Sequence, residues 1–263
     1  MQTTVTVNDG QQVRYQDHGG DGPALVMLHS FLMDLEMFAP QVAAGLGEDY
    51  RLIALNERGH EGTPAEQPFT YWDIARDALA LMDHLGVEKA GVVGTSQGGF
   101  IALRMALLAP ERILAVAALG TSADAEDPQV ADSYRQLAAG WVANGPVDPL
   151  LDTVASICLG DMDASDWKAR WRTVTGERFD RILNVLVDRD SLLDRLGEIQ
   201  CPALVMHGAE DGAYPVARAE EMADGLPNAE DLVVVPGGAH FLSLTDPDAV
   251  NPRLKAFFDK HMR

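Results

Sequence analysis

The chain is expected to form a parallel, doubly wound α/β sheet of about eight strands. Short apolar runs recur at residues 24–28, 52–55, 90–93, 114–119, 203–206 and 232–235. Each has the length and composition of a strand covered on both faces. Helix-forming stretches lie between them, notably residues 72–85 and 98–108. Strands that alternate with helices in this way pack as a parallel sheet.

Val5 and Val7, then Val13 and Tyr15, alternate with polar residues around Asn8-Asp9-Gly10, which predicts an N-terminal hairpin. The buried strands follow until about Ser122. From there to Val187 no β-like run occurs, and Trp141, Trp167 and Trp171 are spaced among helix formers. This predicts a helical insertion over 123–187 between two sheet strands, with 1–122 and 188–263 forming the core.

Composition narrows the function classes. Forty acidic against twenty basic side chains give a formal net charge of −20 over 263 residues. Such a surface repels phosphate backbones and anionic lipid, so neither nucleic acid nor a membrane is an expected partner. No apolar run approaches the roughly 18 residues needed to cross a bilayer. The N-terminus has neither a basic start nor an apolar stretch of leader length, so the expected location is cytoplasmic. Cys158 and Cys201 form no metal-binding spacing and no disulfide framework. Homodimerisation stays open.

Gly94-Thr95-Ser96-Gln97-Gly98 fits GxSxG, and it falls between a strand and a helix. A serine on such a sharp turn is exposed as a nucleophile, and small neighbours make room for its strained backbone. The helix that follows directs its free N–H groups toward developing negative charge. Serine needs an adjacent base. Of seven histidines, His84 lies within a helical stretch, His18 in a turn and His261 near the end of the sequence. His29, His60 and His207 adjoin strand ends. His240 lies in Gly237-Gly238-Ala239-His240, a loop just past the last strand, where open α/β sheets gather their catalytic groups. The base in turn needs an acid to fix its tautomer. Asp211 follows the strand ending at His207-Gly208 and precedes Pro215, so it is the expected acid.

Together these residues make the chain resemble the α/β-hydrolase superfamily over essentially its whole length. The shared patterns are Leu28-His29-Ser30-Phe31, Arg58-Gly59-His60, the GxSxG turn, Gly208-x-x-Asp211-x-x-x-Pro215 and Gly238-Ala239-His240. The resemblance implies an α/β-hydrolase fold with a helical cap. It also implies Ser96 as nucleophile, Asp211 as acid, His240 as base, and the backbone N–H groups of Phe31 and Gln97 as the oxyanion hole. Some relatives carry the acid after the preceding strand, which would nominate Asp124 or Glu126. The stretch from His29 to Phe38 is most similar to 3-oxoadipate enol-lactonases, although Ser30, Asn56, Glu61 and Gln97 depart from the usual residues.

The implied reaction is hydrolysis of a small ester or lactone, with no cofactor and no metal. Carbon–carbon bond hydrolases and cofactor-free perhydrolases share the triad and remain alternatives. A non-catalytic binding protein is a more distant one, since no triad member is missing. The expected substrate pocket comprises His29, Ser30, Leu32 and Phe241 from the core, with Trp141 and Trp171 from the insertion.

Overall fold

A computed structural model describes residues 2–262. The strands are β1 (Gln2–Thr6), β2 (Gln12–Asp17), β3 (Ala24–Leu28), β4 (Arg51–Leu55), β5 (Ala90–Thr95), β6 (Ile113–Leu119), β7 (Ala203–Gly208) and β8 (Val233–Val235). They form one sheet in the order β1-β2-β4-β3-β5-β6-β7-β8. β1 pairs with β2, and β2 with β4, antiparallel. Every other pairing is parallel. The expected hairpin therefore forms, and it extends an otherwise parallel sheet.

The helices are α1 (Ala39–Ala43), α2 (Tyr71–His84), α3 (Gln97–Leu108), α4 (Pro128–Asn144), α5 (Asp148–Leu159), α6 (Ser165–Trp171), α7 (Gly176–Val187), α8 (Val216–Gly225), α9 (Leu242–Thr245) and α10 (Pro247–Met262). Successive side chains of a strand point to opposite faces, which explains the continuous apolar runs. Leu25, Met27, Leu52, Ala54, Val93 and Met206 pack on one face with Phe257 and Phe258 of α10. Val26, Leu28, Ile53, Val92 and Val205 pack on the other with Ile74 and Ala78 of α2 and Ile101 of α3.

Helices α4 to α7 are inserted between β6 and β7, which are hydrogen-bonded neighbours. The chain leaves the sheet at the C-terminal end of β6 and re-enters it at the N-terminal end of β7, and residues of the insertion lie beside the loops that follow β5 and β8. No helix among the described residues is long and apolar enough to cross a membrane.

Candidate active site

Ser96 occupies the turn between β5 and α3 with φ +52° and ψ −113°, a conformation L residues rarely adopt. Its neighbours explain how the turn closes. A Cβ at Gly94 would collide with the Gly98 carbonyl, and one at Gly98 with the Leu28 carbonyl. Hydrogen bonds hold the strained residue from both sides: Ser96 N–H donates to Leu119 O at 2.8 Å, and the Thr121 hydroxyl donates to Ser96 O at 2.7 Å.

Asp211 and His240 reach this turn from the loops after β7 and β8. Asp211 Oδ1 accepts the N–H groups of Ala213 (2.8 Å) and Tyr214 (2.9 Å). Its Oδ2 lies 2.7 Å from His240 Nδ1, and His240 Nε2 lies 2.8 Å from Ser96 Oγ. Burial pushes the Asp211 carboxyl up. The adjacent His240 ring, the Tyr214 amide and His207 outweigh that and hold it below the usual carboxylate range. The side chains of Asp211 and His240 are 1% and 4% exposed, so the array is buried. The two alternative acids are engaged elsewhere. Asp124 pairs with Arg218 at 2.9 Å, and Glu126 pairs with Arg189 at 2.9 Å.

The loop after β3 supplies a second wall. Leu32 has φ +61°, and its N–H donates to His60 Nε2 at 3.3 Å while its carbonyl accepts the Trp171 indole N–H at 2.9 Å. Ser30 donates its hydroxyl to Thr95 O at 2.9 Å and so ties this loop to the serine-bearing strand. Among the described residues the Phe31 N–H meets no hydrogen-bond acceptor in the protein, and the Gln97 N–H is a free donor at the first turn of α3. The Gln97 side chain is turned away: it donates to Glu57 Oε2 and accepts from the Tyr71 hydroxyl at 3.2 Å.

A cavity of about 50 Å³ lies against Ser96 and His240. Phe241 lines it as expected, and Phe31, expected for its backbone N–H, lines it as well. The rest of the wall comes from Tyr134, Val154, Cys158, Leu183 and Tyr214, among others, and no Lys or Arg takes part. The expectation for Trp141 and Trp171 needs correcting. Trp141 is fully buried, stacks on Phe179 at 4.2 Å and donates to Val174 O at 2.9 Å, so it packs the insertion internally. Trp171 is likewise fully buried, and its one polar atom is spent on Leu32 O. His29, Ser30 and Leu32 are also absent from the cavity wall, because their polar groups are consumed in supporting the loop. The residues that sequence reasoning missed carried a weak signal. Phe179, Ile182, Leu183 and Leu186 recur at helical spacing, which marks a buried face of α7 without saying what that face covers.

His29, Glu57 and His60 bring metal-ligating atom types within 4.8 Å of one another. Their donor set does not suit a cation. His29 Nδ1 meets Ser30 O at 2.8 Å and its Nε2 accepts from Glu57 N–H at 3.0 Å. His60 Nδ1 meets Arg58 O at 3.1 Å and its Nε2 accepts from Leu32 N–H. All four ring nitrogens are therefore engaged with backbone. Burial drives His29 down to about 4 and His60 well below the ordinary histidine range, and it pushes the Glu57 carboxyl well up. The cluster is a neutral shelf beneath the loop.

Comparison with known proteins gives consistent results. The family profile for the alpha/beta hydrolase fold matches residues 23–247. The dihydrolipoyllysine-residue acetyltransferase component of the acetoin cleaving system of Pseudomonas putida is 31% identical over 96% of this chain and 68% of its own length. 3-Oxoadipate enol-lactonase 1 of Acinetobacter baylyi is 25% identical, covering 93% of this chain and 92% of its own. Among solved structures, the enol-lactonase from Burkholderia xenovorans LB400 superposes with a TM-score of 0.88 at 26% identity, over 98% of this chain and 100% of the other.

Proposed function

This chain belongs to the α/β-hydrolase family, and on that premise we propose that it is a serine hydrolase of carboxylic esters or lactones. The observation that carries the reading is the buried relay from Asp211 through His240 to Ser96, with contacts of 2.7 and 2.8 Å. In this reading His240 Nε2 takes the Ser96 proton as Oγ attacks the carbonyl carbon. The Phe31 and Gln97 N–H groups receive the oxyanion that develops. As the tetrahedral intermediate collapses, His240 returns the proton to the departing oxygen. Water, activated by the same imidazole, then releases the acid from Ser96.

The cavity supports a substrate class within that reaction. Its walls are apolar, its volume is small and it contains no cation, which favours an uncharged, compact acyl group. An enol-lactone of 3-oxoadipate retains a carboxylate, for which this wall offers no partner. The test is a panel of short aryl esters, enol-lactones and large-ring lactones ranked by kcat/KM, with a phosphonate probe to report the nucleophile. A covalent adduct at Ser96 and a preference for short uncharged esters or lactones are expected. Labelling elsewhere, or turnover unaffected by the probe, overturns the proposal.

A further inference from the structure

The two ends of the insertion meet in a buried charge network that reaches the relay. Glu126 lies between β6 and α4, and Arg189 lies just after α7. Their side chains are each 1% exposed and pair at 2.9 Å. Arg189 also donates to Leu186 O at 2.8 Å and to Asp124 O at 3.0 Å, so it binds both stems of the insertion. Its guanidinium stacks over the Phe100 ring at 4.4 Å, which leaves it little freedom. The Tyr214 hydroxyl donates to the same Glu126 Oε2 at 3.0 Å. Tyr214 belongs to the acid loop: its N–H donates to Asp211 Oδ1, and its ring meets the His240 ring edge-on at 5.4 Å.

A buried ion pair is costly unless further hydrogen bonds complete it. Two apolar residues would join the stems at lower cost. What this pair adds is a directed acceptor for Tyr214, placed where the tyrosine can restrain both the acid and the base. We propose that Tyr214 is a positioning residue: through Glu126 and Arg189 it locks the acid loop to the stems of the insertion, so that seating the insertion aligns Asp211 and His240. This rests on the catalytic reading given above.

The test uses Tyr214→Phe, which keeps the ring against His240 and removes only the hydroxyl. Kinetics on a short aryl ester are expected to show kcat reduced about tenfold or more, with KM within about twofold, since small misplacements of reacting groups are costly. The rate of phosphonate labelling at Ser96 is expected to fall in parallel. In the Tyr214→Phe background, Glu126→Gln is expected to add less than it costs alone, because both changes break one connection. A wild-type kcat for a folded Tyr214→Phe enzyme overturns the inference, and so do effects that simply multiply. If Glu126→Gln does not fold, the single tyrosine variant still decides. Ser96→Ala separates the two layers: an inert Ser96→Ala beside a fully active Tyr214→Phe removes only the positioning role, whereas an active Ser96→Ala removes the catalytic reading beneath it.

Discussion

The loops at the end of the sheet and the helices inserted between β6 and β7 face each other across one cavity, but they are specified in different ways. Ser96, Asp211 and His240 sit where backbone geometry leaves few choices. The serine needs φ +52°, and glycines must stand where carbonyls approach. A Cβ at Gly208 would strike the Gly238 carbonyl, and one at Gly120 the His240 carbonyl. In the insertion a comparable constraint acts at a helix start, where a Cβ at Gly176 would come within 2.7 Å of Val142 Cα, but none acts on the cavity wall. Its cavity-facing residues, such as Leu137, Val154 and Leu183, are interchangeable in kind with those that face inward. Steric necessity writes itself into short motifs, whereas packing only sets a periodicity.

The largest expected effects lie at the relay. Ser96→Ala is expected to lower kcat by about 10⁴- to 10⁶-fold, because triad groups act as a unit. Steady-state turnover above a few per cent of wild type is the contrary result. Asp211→Asn comes next, at about 10⁴-fold, while Asp124→Asn stays near wild type because its carboxylate serves Arg218. A crippled Asp124→Asn beside a silent Asp211→Asn would reverse the assignment. In the insertion the expected loss is of stability. Trp141→Ala is expected to cost about 3–5 kcal/mol in denaturant unfolding, with the labelling rate of Ser96 in the folded fraction kept.

The smallest effect concerns pH. Burial raises the Glu57 carboxyl well above its ordinary range, so the folded state holds a proton that the unfolded chain releases. Stability from this group is present at acid pH and falls as pH rises from about 4.3, the unfolded value, toward the folded value. Glu57→Gln keeps an acceptor for the Gln97 amide and removes the titration. Its Tm relative to wild type is therefore expected to climb as pH rises above about 4. A difference that is flat with pH would show that Glu57 is not held protonated.

Much of this was legible in the chain because the signals were local. The apolar runs located every parallel strand, and GxSxG between β5 and α3 located the turn at which the other two loops meet. The proposed acid was legible only through context. Glu126 and Asp211 both follow core strands, and what separates them is a partner, Arg189, that lies 63 residues away from Glu126 in sequence. The tryptophans misled for a related reason. A large aromatic in an insertion can face a cavity or fill the interior, and Trp171 is held inward by its hydrogen bond to the Leu32 carbonyl. The Gln97 side chain is a further case. Beside a nucleophile it looks like a substrate contact, and only its distant partners, Glu57 and Tyr71, turn it inward.

The uncharged cavity has a consequence for the end of a catalytic cycle. In the proposed reaction a neutral ester becomes a carboxylate, so the product carries a charge that the substrate lacks. No lysine or arginine on the cavity wall greets it, and a chain with formal charge −20 surrounds it. The field that is indifferent to the incoming ester therefore opposes retention of the acid. If the proposed ester hydrolysis is the reaction, little product inhibition is expected, and raising the ionic strength is expected to screen the repulsion and lengthen the acid's stay.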